Sequence, residues 1–284
     1  MNAIAIGSLL CCFAFFRHAP RVPTLWTLDP GHRVHRLNPS TGKLEGATGL
    51  LVAIAEGADG DVWGLGGGHE VLHYNPSEKD WDWQAARLVS LSVASVKNAW
   101  GLDPDGNPFH FRPEYDVWVS EPGVFVQISA APDGSVWALN KAGKVYEFRA
   151  KGEKWAPMPG SLSALAVGNG ASIWGLDRSR KIVRFNSGTR NWDSIPGDLS
   201  QLAVAANGSA WGIDSKGRAW RFDPASQRFL ELPDTNAAGA LTRIEVAPDG
   251  APWGLTAAGQ LFQFDTTTQS WKAIPGTAVD FTVG

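Results

Sequence analysis

The sequence predicts an all-β chain: a seven-bladed β-propeller of four-stranded antiparallel blades, its ring closed by the C-terminal strand joining the N-terminal blade. Three observations carry that expectation. Tryptophan recurs every 37 residues at Trp26, Trp63, Trp100, Trp137, Trp174 and Trp211, and once more at Trp253 after 42. Each period holds four short strand-like runs punctuated by Gly, Pro, Asn and Asp. The chain ends are complementary. It finishes on "TAVDFTVG", a first strand with nothing after it, and the repeats begin on "RVPTLWTLD", a second strand with nothing before it.

The elements follow in order. Residues 1–20 precede the repeats and open on "MNAIAIGSLLCCFAFF", an apolar run too short for an ordinary spanning helix and suggestive of a signal peptide. It lacks a basic beginning and an A-x-A cleavage site. The expected location is secreted or cell-surface, or cytoplasmic if the leader is not a signal. Both cysteines, Cys11 and Cys12, fall in this leader, so the repeat region can form neither a disulfide nor a cysteine metal site.

Residues 21–284 form the repeats. The first strand of each carries L-x-x-[IL]-x-V, as in "LSALAV"; the second carries the periodic tryptophan, as in "SIWGLD". The third alternates, as in "IVRFN", and the fourth reads "NWDSIPG" or "KWAPMPG". Asp59-Gly60, Asp133-Gly134, Asn207-Gly208 and Asp249-Gly250 mark hairpins before the second strand. Four strands of about five residues with four turns of about four account for roughly 36 residues. A second aromatic series runs through the fourth strands at Trp81, Trp118, Trp155, Trp192 and Trp271, with Leu44 and Phe229 at the equivalent places. Both series are expected to fill the wedges between blades, where sheets pack about 10 Å apart.

W-x-x-[IM]-P-G followed by L-x-x-[IL]-x-V-x-x-x-G-x-x-W-G-[LI]-[DN] resembles the tectonin repeat of tectonin and tachylectin-type propeller lectins. "WAPMPGSLSALAVGNGASIWGLD" and "WDSIPGDLSQLAVAANGSAWGID" are the best copies. The first three blades depart from the pattern: "WDWQAARLVSLSVAS" lacks Ile-Pro-Gly and "WVSEPGVFVQISA" keeps only Pro-Gly. Seven repeats also exceed the six typical of described tectonin lectins. The resemblance implies a glycan-binding protein, although other tectonin-repeat proteins are intracellular scaffolds.

Candidate binding residues are those that break the period. Trp83, in "WDWQAARL", is out of register and could stack on the apolar face of a sugar. Trp220 takes a slot held elsewhere by smaller apolar groups or His35. Asp234, Thr235 and Asn236 lie in the five-residue insertion and could hydrogen-bond sugar hydroxyls.

All six histidines precede residue 111, which invites a metal reading. His73 and His110 occupy equivalent places on successive blades, too far apart to share an ion, so hydrogen-bonded or solvated histidine is expected. They share a third-strand slot with Arg36, Glu147, Arg184, Arg221 and Gln263, for which an inter-blade hydrogen bond or salt bridge is expected. Asp29, Asp103, Asp177 and Asp214 are expected to accept backbone N–H groups at hairpin turns.

Lys+Arg 25 against Asp+Glu 28, with both signs scattered, argues against nucleic acid or an anionic membrane as main partner. No nucleophile motif, phosphate loop, metal set or cofactor motif is present in the sequence. The reading is a non-enzymatic, lectin-like module that takes a glycan or glycoconjugate in loops at the blade junctions. The alternatives are a protein-interaction scaffold and a metal-dependent lyase resembling the streptogramin-lyase propellers, whose repeats also carry a DG-x-x-W hairpin.

Overall fold

The computed structural model describes residues 24–232 and 239–284. Its described strands form seven four-stranded antiparallel sheets. In blade 1 the order is β28 (Asp280–Val283), β1 (Leu25–Leu28), β2 (Arg33–Asn38), β3 (Lys43–Leu50). The C-terminal strand therefore completes the N-terminal blade, with Leu25 opposite Val283 and Trp26 opposite Thr282. Blades 2 to 7 follow in chain order, each running from an inner to an outer strand. Closure pairs β1 with an inner strand, so that every blade has four strands and only short, protected edges remain.

The seven second-strand tryptophans are essentially solvent-free. Each faces the blade that follows. Trp174 meets Phe222 and Phe229 of the next blade at 4.7 and 5.7 Å, and Trp63 meets Phe111 and Trp118 at 4.6 and 5.1 Å. The edge-to-face angles are those aromatic pairs prefer. At 150–250 Å² buried per large aromatic, each such ring contributes about 4–6 kcal/mol of transfer free energy.

The glycine after the tryptophan has a steric cause. A Cβ at Gly64, Gly175 or Gly212 would sit about 2.5 Å from a methyl of Leu51, Leu162 or Leu199, the residue that opens the linker into that blade. In blade 1 volume is traded between the two positions. Where the second strand carries Thr27 instead of glycine, the linker residue shrinks to Ala278. In blades 2, 3, 5 and 6 the leucine of L-x-x-[IL]-x-V thus belongs to the linker, and the first strand begins two residues later, as at Ala164–Asn169; in blade 7 the strand Leu241–Val246 begins at the leucine itself.

The Pro-Gly of the outer strand is a bulge. Register slips there in blades 4 and 5, and Gly160 and Gly197 have φ of 96° and 136°. The bulge also admits the next blade: the Trp192 indole N–H donates to the Pro159 carbonyl at 2.7 Å, and a Cβ on Gly160 would lie 2.8 Å from that ring. Trp81 donates to Thr48 beside Gly49 in the same way. Opposite Gly276, where the partner is Leu44, the same arrangement persists without the hydrogen bond.

Turn side chains tie successive blades on one face of the ring. Asp59 accepts from Val96 N–H, Asp133 from Gly170 N–H, and Asn207 donates to the Asp249 carbonyl. Around the central channel Gln127 both donates to and accepts from Leu165, and Arg243 pairs with Asp280 to bind blade 7 to blade 1.

Candidate functional site

On the opposite face lie the turns between second and third strands and the linkers between blades. Here a cleft of about 820 Å³ opens at the junction of blades 3 and 4. One wall is the turn 103–106 of blade 3 and another the turn 140–142 of blade 4; Val89 and the linker Val124–Val126 form the rest. A smaller recess of about 310 Å³ adjoins it across Val124 and Phe125, lined also by Pro122, Gly123, Tyr146, Lys154 and Trp155.

The chain is locally unusual here for a traceable reason. Blade 4 has Ala138 where most blades have the glycine after tryptophan, and its linker residue is Phe125 in place of leucine. Phe125 packs with Ala138 and Leu102 and meets Tyr146 and Trp155 at 5.4 and 4.6 Å. An aromatic wall results where other junctions have an aliphatic plug.

The polar groups divide by role. Asp103 is spent on its own turn, accepting from the Asp105 and Asn107 amides at 3.0 and 2.8 Å. Asn140 does the same for Ala142 and Lys144. The exposed side chains of Asp105 and Lys141 stand at the cleft rim and make no ion pair among the described residues. The cleft can therefore offer one acceptor and one cationic donor over an apolar and aromatic floor.

The structure scatters the sequence-derived candidates. Trp83 lies on β7 (Asp80–Arg87) of blade 2, opposite Leu72, and is 67% exposed. Gly46, Ser120, Pro157, Ser194, Glu231 and Ala273 hold its place in the other blades, so it is the one large apolar group in that slot. Trp220 lies on β22 (Ala219–Asp223) of blade 6, half-buried; its indole N–H donates to Asp214 at 3.3 Å, and the Arg218 guanidinium covers its ring. The two do not meet, and neither lines the cleft. Asp234, Thr235 and Asn236 lie outside the described residues.

The turn aspartates behave as expected. Asp29 accepts from the Gly31 and Arg33 amides, and the Arg33 backbone contact holds its carboxyl well below the usual range, with the Arg33 guanidinium and His35 adding to it. Asp177 and Asp214 repeat the geometry.

The third-strand slot meets the expectation of an inter-blade bond at Glu147, which reaches Arg190 of the next blade at 3.9 Å, and departs from it at the arginines and histidines. Each of its residues sits directly across from the tryptophan of its own blade, Trp26 against Arg36 and Trp63 against His73 among them. Its flat or cationic group lies over that ring: Arg36, Arg184 and Arg221 at 5.2 to 5.3 Å, His73 and His110 stacked at 4.0 and 4.3 Å. Alternation put the polar group beside the wedge, but the tryptophan face was the nearer and drier partner. The slot is thus a lid on the core.

The histidines are also partly corrected. His73 reaches Asp61 at 2.6 Å and His35 reaches Asp29 at 3.2 Å, as hydrogen-bonded groups. His110 is neither solvated nor well bonded: its ring nitrogens are buried without a well-formed hydrogen bond, and burial pushes its pKa down to about 4. Among the described residues no three His, Cys, Asp or Glu side chains come together as a metal site.

The cleft residues escaped sequence reasoning because the period itself hides them: Val126, Asn140 and Lys141 follow Val89, Asp103 and Pro104 by 37 residues, as scaffold positions do. The available signal was the departure of "SEPGVFV" from the repeat.

Comparison with known proteins agrees with this architecture. In the solved structures the fold is shared by a streptogramin B lyase (14% identity, TM-score 0.62, 81% of this chain and 86% of that one). It is shared by YCF48 bound to D1 peptide (17%, 0.59, 78% and 81%). A virginiamycin B lyase from Staphylococcus aureus is similar too (13%, 0.61, 79% and 83%). At these identities the likeness extends to the fold alone. No curated protein matches the chain. The family model described as Tectonin domain matches residues 24–147 and 88–284. With its Pro-Gly bulges, inter-blade tryptophans and seven closed blades, the chain belongs to the tectonin-domain family.

Proposed function

We propose that this propeller is a non-catalytic binding module that takes a carbohydrate in the cleft between blades 3 and 4. The observation that carries the reading is the composition of that cleft: aliphatic and aromatic walls with Asp105 and Lys141 at the rim. Sugar rings present apolar C–H faces and polar edges, and sites for them mix such walls with a few placed polar groups. A volume of about 820 Å³ suits a short oligosaccharide. Family membership supports the same reading through its lectin members, and the apolar leader supports a secreted or cell-surface setting.

A second reading, a protein-interaction scaffold, is favoured by the exposed valines that share this face, and YCF48, of similar fold, is bound to a peptide in its structure. For the lyase reading, the similarity to streptogramin lyases carries the fold only.

A glycan array probed with the full chain tests the proposal. Asp105→Ala and Lys141→Ala remove rim groups without disturbing a turn, and each should weaken binding of an array hit about tenfold, the effect of losing one hydrogen bond to a charged group. No hit at all, or hits indifferent to both variants, would remove the carbohydrate reading.

A further inference from the structure

The residue that follows the buried linker residue has the same backbone role in blades 1 to 6. Its N–H bonds to the carbonyl that ends the second strand, as in Val52 to Leu65 and Ser163 to Leu176. Its side chain sorts the ring into two arcs. In blades 5, 6 and 7 it is Ser163, Ser200 and Thr242, whose hydroxyls donate to the carbonyls of Leu176, Ile213 and Leu255 at 3.0 to 3.1 Å. In blades 1 to 4 it is Val279, Val52, Val89 and Val126, each between 44% and 61% exposed.

The fold does not need these valines. Three blades show that a hydroxyl fits the position and gains a hydrogen bond there. Four consecutive blades nonetheless present methyl groups to solvent, and Leu50 and Val124 are exposed two residues before Val52 and Val126. Val89, Val124 and Val126 line one cleft, and apolar side chains grouped on an exposed surface mark a place that another molecule covers.

Lysines recur along blades 4 to 6, overlapping the valine arc at blade 4. Exposed Lys141 and Lys216 stand in turns and Lys181 opens the third strand of blade 5, and among the described residues none of the three makes an ion pair. The arcs meet in one place, where Val126 and Lys141 line a common cleft. We infer that this face docks a polypeptide segment of a partner protein, with aliphatic side chains against the valine arc and carboxylates against the lysine arc. The valines are half-recessed beside turns, so projecting side chains reach them better than a flat bilayer surface does. Charge complementarity selects an acidic segment.

The inference is independent of the carbohydrate reading, because Val52 and Val279 lie outside the cleft proposed for sugar. The test selects random linear peptides displayed on phage against the full chain. Synthetic copies are then titrated by fluorescence anisotropy against wild type, Val52→Ser with Val279→Ser, and Lys181→Glu with Lys216→Glu. Serine at this position is the residue two other blades already carry, so folding is retained, with circular dichroism as the check. Enriched peptides should combine aliphatic with acidic residues, and each double variant should weaken them about tenfold or more. No enrichment, or peptides indifferent to both variants, overturns the inference. So does binding of phosphatidylglycerol vesicles, or self-association by ultracentrifugation, that depends on the same valines while peptides fail to bind. Any glycan hit should keep its wild-type affinity in the valine variant.

Discussion

A tryptophan in this chain is structural or accessible according to its strand and face, and the two kinds should respond oppositely to removal. Trp211 is 1% exposed in the wedge between blades 6 and 7. Trp211→Ala should cost about 3–5 kcal/mol in urea unfolding, the range for emptying a buried aromatic site. Trp83, two-thirds exposed, should change stability by no more than about 0.5 kcal/mol when replaced by alanine. Similar losses at both positions would contradict the packing assignment. Residue-scale chemistry also sets one pH response. With its pKa lowered from 6.5 to about 4, His110 is neutral in the fold while the unfolded chain takes up a proton. Its contribution is full above about pH 6.5 and is lost as pH falls toward 4. His110→Phe keeps a ring against Trp100 and removes the titration, so its stability should depend less on pH across that window. Equal slopes for both proteins would show that burial does not govern His110.

At the scale of the element, the Pro-Gly bulge joins one blade to the next. Gly160 combines a φ of 96° with the close approach of Trp192, whereas Gly152, at 93°, has open space around its Cα. Gly152→Ala therefore reports backbone strain alone, about 1–2 kcal/mol. Gly160→Ala adds a steric clash with an indole whose hydrogen bond also depends on that approach, and should cost about 1–3 kcal/mol more. Thermal melts of the pair measure the difference, and equal losses would mean that Trp192 does not need the glycine. The strand order, both aromatic series and this Pro-Gly signal were legible in the sequence because each repeats, so chance is averaged out over seven copies. The third-strand slot was visible as a polar ring, but not its purpose: periodicity shows that Arg184 and His73 are equivalent without showing which neighbouring surface their side chains lie on.

Across the whole molecule, the ring has one face of turns tied to one another and one face of linkers that carries surface features. Closure was readable from "TAVDFTVG" and "RVPTLWTLD", because an incomplete blade at each end can be completed only by the other. The binding face was not readable. The cleft draws on Asp105 of one repeat and on Phe125 and Lys141 of the next, which hold unrelated places within the repeat, and the valine arc stands out only once hydroxyl and methyl positions are aligned on the same backbone bond. Trp83 attracted attention for breaking register, yet it stands on an outer strand apart from the cleft.

The central claim is that ligand binds at the blade 3–4 junction on the linker face. Hydrogen–deuterium exchange of the full chain, with and without a saturating glycan-array hit, tests it most directly. The account predicts slowed exchange in residues 103–107, 122–126 and 140–143, with the segment around Trp83 unchanged. Protection centred on residues 80–87, or confined to the opposite face, would contradict it.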